Sequence, residues 1–361
     1  MQQGSPQNSI REAPEEWAQW LGISREAAQI YAQSDVIDLH LDSFIWSRIL
    51  GYDIQKPHRG GLLGRWFLGH ADLPRVIEAG ITGATWVITT NPLRADLERA
   101  QAFRDNLLGL AKILQGGAES PTALVRTRAE YQAARTQGLH AAFIGVQGGN
   151  AVDADLAALD AAGPQTVLRV TMLHLTRSSL GLPSTPFRFG PDTGLTDAGR
   201  DYVQALNDRK IFVDLAHISR QGFNDAFEIH DKSQPLLVSH TGVSGVFAHW
   251  RNLDDQQLRR IADTGGTIGV MYHAAYLGGG LFGAKAATVF RHIEHIVNVV
   301  GDDHASLGSD WDGAIVPPSD LSTCSDLPRL VQIMLDHNWR SDRIQKILGL
   351  NFLRTLQELR G

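Results

Sequence analysis

The chain has 361 residues, 43% of them hydrophobic and 20% charged, which is enough apolar material for a sizeable core. Its net charge of −6 comes without a basic run and argues against a nucleic-acid partner. Cys324 is the single cysteine, which excludes an intramolecular disulfide framework and any multi-cysteine zinc site, so a metal here must be held by His, Asp, Glu or their relatives.

The N-terminus, "MQQGSPQNSIREAPEEWAQWLG", has no apolar run of signal-peptide type and carries acids where a transit peptide avoids them. No stretch of 18 apolar residues occurs, so no membrane partner is expected and the default location is cytoplasmic. Residues from about 1 to 34 read as a helical extension. The first strand follows at "VIDLHLD" (36–42). Alternate residues of a strand share a face, so Asp38, His40 and Asp42 project together. That arrangement is a pair of metal ligands or a polar strand end, and the spacing alone does not choose.

Seven further short, β-branched runs follow: "ATWVITT" (84–90), "AAFIGVQGG" (141–149), "VLRVTMLH" (167–174), "IFVDLAH" (211–217), "PLLVSH" (235–240), "TIGVMYH" (267–273) and "ASLGSDWDG" (305–313). Amphipathic stretches separate them. "LRADLERAQAFRDNLLGLAKILQ" places Leu97, Ala100, Phe103, Leu107 and Leu108 near one face, and Thr196 is positioned to cap the helix of "LTDAGRDYVQAL". The Gly-rich "YLGGGLFGAKAA" (276–287) reads as a loop near a site, and residues from about 326 to 361 as closing helices. Eight buried-type strands alternating with helices predict an α/β fold, a (β/α)₈ barrel, with residues 1–361 forming a single domain.

In such barrels the chemistry sits at the C-terminal ends of the strands. Those ends carry His40 and Asp42, Gln147, His174, His217, His240, His273, and Asp310 with Asp312. Each has an ordinary explanation alone: a rim histidine, or Asp312 beside Gly313 as turn chemistry. Together they converge on one mouth, and imidazole with carboxylate is the ligand set of a hydrolytic zinc site. His273 reads as a rim histidine before a third metal nitrogen or a substrate contact. Trp46, Trp66 and Phe67 follow the first strand, where a loop can wall a pocket or pack on the core.

From about residue 35 to 355 the sequence resembles the membrane (renal) dipeptidase family of zinc peptidases, within the amidohydrolase-type barrels. The resemblance is carried by "DLHLD", "HADLPRVIEAGITGATWVITTNP", "GVQGGN", "RVTMLH", "GLTDAGRDYVQALNDRKIFVDLAHIS", "PLLVSHTGV", "AHWRNLDDQQL" and "LGSDWDG", in that order. It implies two zinc ions, one on His40 and Asp42, the other on His217 and His240, with a bridging glutamate between. It also implies that Asp310 manages the proton of the attacking water, that His174 contacts the tetrahedral intermediate, that Arg251 takes the carboxylate of a dipeptide, and that a homodimer is possible. The bridging position is occupied by Gln147, and the family's following His by Asn150. An amide has one oxygen to give and no charge, so it cannot offset the repulsion of two dications as a carboxylate does. The expectation is one or two zinc ions with the second site weak. The function expected is a dipeptidase-like hydrolase for a small peptide or amide with a free carboxylate. The alternatives are an enzyme of altered metal site acting on another amide or ester or in non-hydrolytic biosynthetic chemistry, or a non-catalytic relative.

Overall fold

Parallel strands form at each of the eight expected runs. In the computed structural model, which describes residues 6–58, 66–91, 96–117, 120–186, 190–280 and 283–361, they are β1 (Ile37–Leu41), β2 (Gly83–Thr89), β4 (His140–Gln147), β5 (Val167–Thr171), β6 (Phe212–Asp214), β7 (Leu237–Thr241), β8 (Thr267–Val270) and β9 (Ala305–Leu307), with a short β3 (Thr122–Leu124) on β4. The order β2-β1-β9-β8-β7-β6-β5-β4 closes through a β2–β4 pairing, giving the (β/α)₈ barrel. β3 was not expected, because three residues are too few for a periodic signal. The barrel strands are buried along their length, as helices cover the outside and side chains fill the inside. Leu281 and Phe282 of the Gly-rich segment, and residues 93–95 opening the long amphipathic stretch, lie outside the described residues.

The helix Asp96–Gln115 buries Ala100, Phe103, Leu107, Leu110 and Leu114, a stripe at alternating steps of three and four. Leu108 departs from the expected face: one residue past Leu107 it is rotated by a quarter turn or more, and it is 50% exposed. Thr196 caps Asp197–Asp208 by accepting from the Gly199 N–H. The N-terminal helices Pro14–Leu21 and Arg25–Gln33 bury Trp17 and Tyr31, and the second packs on the closing helix Pro328–Asp336. Among the described residues no helix is long and apolar enough to cross a membrane.

Two glycines set the spacing of the strands beneath the mouth. A Cβ on Gly269 would lie 2.1 Å from the Ser239 carbonyl oxygen, and one on Gly308 would lie 1.8 Å from it. Only glycine lets β8 and the end of β9 close on β7 at this level. Register then aligns a polar layer: Thr89 pairs with Gln147, Gln147 with Thr171, and Thr171 with Asp214, across β2, β4, β5 and β6.

Candidate metal centre

Beyond this layer the chain turns sharply. His217 and Asp310 hold φ values of 64° and 63°, in the left-handed region that costs a side-chain-bearing residue strain. The turns send both side chains back over the barrel mouth, where they meet the residues ending β1 and β7.

The β6–β7 flank is wired from below. The Asp214 carboxylate accepts hydrogen bonds from Arg169 Nη1 (2.8 Å), Thr171 Oγ1 (2.6 Å), Ser239 Oγ (2.6 Å) and the backbone N–H groups of Ala216 and Ser239. The Ser239 hydroxyl has one proton, and Asp214 takes it. Ser239 Oγ therefore accepts from His240 Nδ1–H at 2.8 Å, which leaves a lone pair on His240 Nε2. That atom lies 2.8 Å from His217 Nε2, and the His217 ring stands edge-on to His174 at 4.7 Å.

On the β1–β4 flank, His40 lies with its ring centroid 3.9 Å from that of His240. Its Nε2 is buried without a hydrogen-bond partner, 3.6 Å from Asp310 Oδ1. One ligand atom each from His40, His240 and Asp310 falls within 4.8 Å of the others. Asp42 is not in that group. Its carboxylate accepts from the Thr89 hydroxyl and, at 3.5 Å, from Gln147 Nε2, while Gln147 Oε1 is buried without a partner. The geometry thus joins His40 across the mouth to His240 and Asp310, where the family resemblance pairs it with Asp42.

Burial dominates the electrostatics. It pushes His40, His217 and His240 well below the ordinary imidazole range, and His174 down to about 3 with Arg251 as second cause. It raises Asp42 to about 6 despite the Thr89 hydrogen bond, and holds Asp310 well above the carboxylate range with Asp42 adding to the rise. The His240 Nε2 lone pair, the His217 nitrogen 2.8 Å from it and the Asp310 carboxylate near His240 fit a metal cation on the His217, His240 and Asp310 side. The Asp42 and Gln147 side offers one carboxylate and an uncharged amide, so it fits a second cation poorly.

Arg251 is buried beside the centre. Its Nη2 donates to the His240 carbonyl at 2.8 Å, and its Nε has no partner. Burial lowers its pKa to about 10, opposed first by Asp310. His174 and Thr89 border a cavity of about 650 Å³, walled by Ile45, Ile88 and Phe103. Trp46, Trp66 and Phe67 do not line it: Trp46 packs on the core and donates to the Asp312 carbonyl at 2.6 Å, and the other two are 48% and 38% exposed. His273 Nδ1 accepts from the Val316 N–H at 3.4 Å and its ring meets Tyr276 at 4.4 Å, placing it on the rim. Asp312 is a structural acid, accepting from the His70 N–H (2.9 Å) and Ser43 Oγ (2.5 Å).

Sequence reasoning passed over Arg169, Asp214, Ser239 and Thr89. Arg169 did leave a signal, a charge inside the apolar run "VLRVTMLH", since a fully buried arginine must be paired. The other three are short polar side chains with no signal apart from their position on a strand.

A family model described as membrane dipeptidase (peptidase family M19) matches residues 24–360. A Klebsiella pneumoniae protein described only by its place in the pqqA 5' region is 36% identical over 178 residues, 48% of this chain and 65% of that protein. An uncharacterized dipeptidase of Schizosaccharomyces pombe is 30% identical over 225 residues, 61% of this chain and 53% of its own. The chain thus matches between a little over half and just under two-thirds of these relatives' length. Among solved structures, a Rhodobacter sphaeroides metallo peptidase liganded with a phosphinate mimic of the dipeptide L-Ala-D-Ala is 27% identical with a TM-score of 0.75, covering 90% of this chain and 99% of that one. A dipeptidase described as a metallo peptidase of family M19 is 28% identical with a TM-score of 0.77, covering 90% and 98%.

Proposed function

The chain belongs to the membrane dipeptidase family, and from that premise we propose that it is a zinc-dependent dipeptidase-like hydrolase whose substrate is a small peptide or amide with a free carboxylate. The observation that carries the reading is the meeting of His217, His240, His40 and Asp310 at one mouth, beside a buried arginine with an unpartnered Nε.

Zinc, when bound, supplies Lewis acidity toward the scissile carbonyl and makes the attacking water more acidic. His240 and His217, whose Nε2 atoms stand 2.8 Å apart, would hold it. Asp310 receives the proton of the attacking water as the oxygen bonds to the carbonyl carbon. It then passes that proton to the amine nitrogen as the C–N bond breaks. His174, neutral at working pH, offers an N–H to the oxygen of the tetrahedral intermediate. Arg251 takes the substrate carboxylate, which also restores charge compensation to the guanidinium. The cavity beside His174 and Thr89 gives room for a side chain.

The test is turnover of a dipeptide panel, with L- and D-residues at the C-terminal position, by zinc-supplemented protein. Hydrolysis of free-carboxylate dipeptides, lost on chelation and restored by zinc, is the expected result. No turnover of any panel member with zinc bound would overturn the substrate class.

A further inference from the structure

Arg169 lies wholly buried on β5, directly beneath the centre. Its Nη1 donates to Asp214 and, at 2.8 Å, to Thr171 Oγ1. Its Nη2 donates to the Leu39 carbonyl at 3.1 Å and faces His40 Nδ1 at 2.8 Å. A guanidinium has protons to offer and no lone pair, so His40 Nδ1 must be the acceptor. A neutral imidazole has one N–H, which then sits on Nε2, 3.6 Å from Asp310 Oδ1. His240 is the opposite case, because Ser239 takes its Nδ1–H and frees Nε2. Two imidazoles 3.9 Å apart are therefore locked in opposite tautomers. One presents a metal-binding lone pair and the other presents a proton.

We propose that Arg169 makes this a one-ion centre: it withholds His40 from the metal, leaves the ion to His217 and His240 with Asp310 in reach, and turns His40 into a positioning residue that directs its Nε2–H at Asp310. The inference rests on the zinc-hydrolase reading above and deepens it. Charge supports it. Gln147 supplies no charge where the resemblance implies a bridging carboxylate, so the β1 side has one anion fewer to offset a second dication. Asp42 and Asp38 share the field of Arg169, so the acids left on the β1 side are answered by a cation of the chain itself. Arg169 also ties the two flanks together, since the same guanidinium holds the Asp214 that orders Ser239.

The experiment is zinc titration of the full chain with elemental analysis, together with long-range ¹H–¹⁵N spectra of histidine-labelled protein. One tight zinc per chain is expected, with His40 as the Nε2–H tautomer and His240 as the Nδ1–H tautomer. Two ions of comparable affinity, or His40 with its proton on Nδ1, would overturn the inference and leave the hydrolase reading standing. Binding of no zinc at all would overturn both. Arg169→Met should release the His40 tautomer, and Arg169→Met with Gln147→Glu should take up a second zinc. A double variant that folds and still binds one ion would count against Arg169 as the cause. Should these variants not fold, stoichiometry and tautomers in the unaltered protein decide the question.

Discussion

On the β6–β7 flank of the mouth, His217 and His240 face each other at 2.8 Å over an acid, Asp214, whose five hydrogen bonds are all made. On the β1–β4 flank, His40 backs onto a guanidinium, Asp42 is occupied by Thr89 and Gln147, and the Gln147 oxygen has no partner. The flanks use the same ligand-type residues, yet one is completed from behind and the other is not. What stands behind an imidazole decides its use. A hydroxyl whose proton is committed elsewhere accepts Nδ1–H and exposes Nε2, whereas a guanidinium forces the reverse.

The largest expected effect breaks the comparison outright. Replacing His217 and His240 by Ala should abolish tight zinc binding, a loss beyond the hundredfold typical of removing a supporting partner. His40→Ala should leave the ion in place while lowering turnover. Chelator competition on the variants checks both. Equal loss of zinc from His40→Ala and from His240→Ala would remove the distinction between the flanks.

Next comes the support rather than the ligand. Ser239→Ala leaves His240 Nδ1–H without its acceptor and Asp214 without one donor. Zinc affinity should fall roughly tenfold to a hundredfold. Thr89→Ala, the matching change on the other flank, frees one Asp42 oxygen and should leave the affinity for the first zinc within about twofold, since the Asp42 carboxylate faces Thr89 and Gln147 and not the His217 and His240 pair. A loss of first-site affinity in Thr89→Ala as large as in Ser239→Ala would mean that Asp42 ligates after all.

These contrasts show what a sequence exposes and what it conceals. The barrel was legible because eight apolar runs alternate with amphipathic stretches, and periodicity reports burial directly. The mouth was legible because the imidazoles and acids end those runs. Which residues group together was not, because that depends on register and on turns. His217 and Asp310 swing over the centre only through left-handed backbone, and the pairing of Thr89 with Gln147 brings both onto Asp42. Tautomers lie further still from the sequence, being fixed by Ser239 and Arg169 through contacts between strands. Leu108, Trp66 and Phe67 show the limit from the other side, since an apolar residue near the expected place need not face the expected way, whereas Trp46 packs on the core, one of the two roles its position offered.

Arg251 sharpens the comparison from the substrate's side, since it hangs from the β7 flank through the His240 carbonyl. A charge-assisted hydrogen bond is worth about 1.5–3 kcal/mol, so Arg251→Ala should raise KM for a free-carboxylate dipeptide about tenfold to a hundredfold. The C-terminal amide of the same dipeptide should lose far less. Equal losses on the two substrates would reject Arg251 as the carboxylate clamp and leave it a support for the β7 carbonyl.

The smallest effect is expected at Gln147, and it probes the β1–β4 flank alone. Gln147 Nε2 lies 3.5 Å from Asp42 Oδ2, so Gln147→Glu sets two buried carboxylates side by side. Without metal, one of them must take a proton or repel the other, and the thermal midpoint of the zinc-free variant at neutral pH should fall below that of the unaltered chain. Zinc answers that excess of negative charge, so the variant's midpoint should recover more on zinc addition than the parent's does. Affinity at the second site should rise by about tenfold or less, because Arg169 still faces His40 and the added anion supplies charge without supplying the missing imidazole lone pair. Zinc titration and thermal melts of parent and variant side by side measure both quantities. Two equally tight ions in the parent would show that Gln147 is a sufficient bridge. A variant whose zinc-free midpoint does not move would place its carboxylate away from Asp42. A gain far beyond tenfold in Gln147→Glu alone would mean that the missing anion, and not the arginine behind His40, is what sets the two flanks apart.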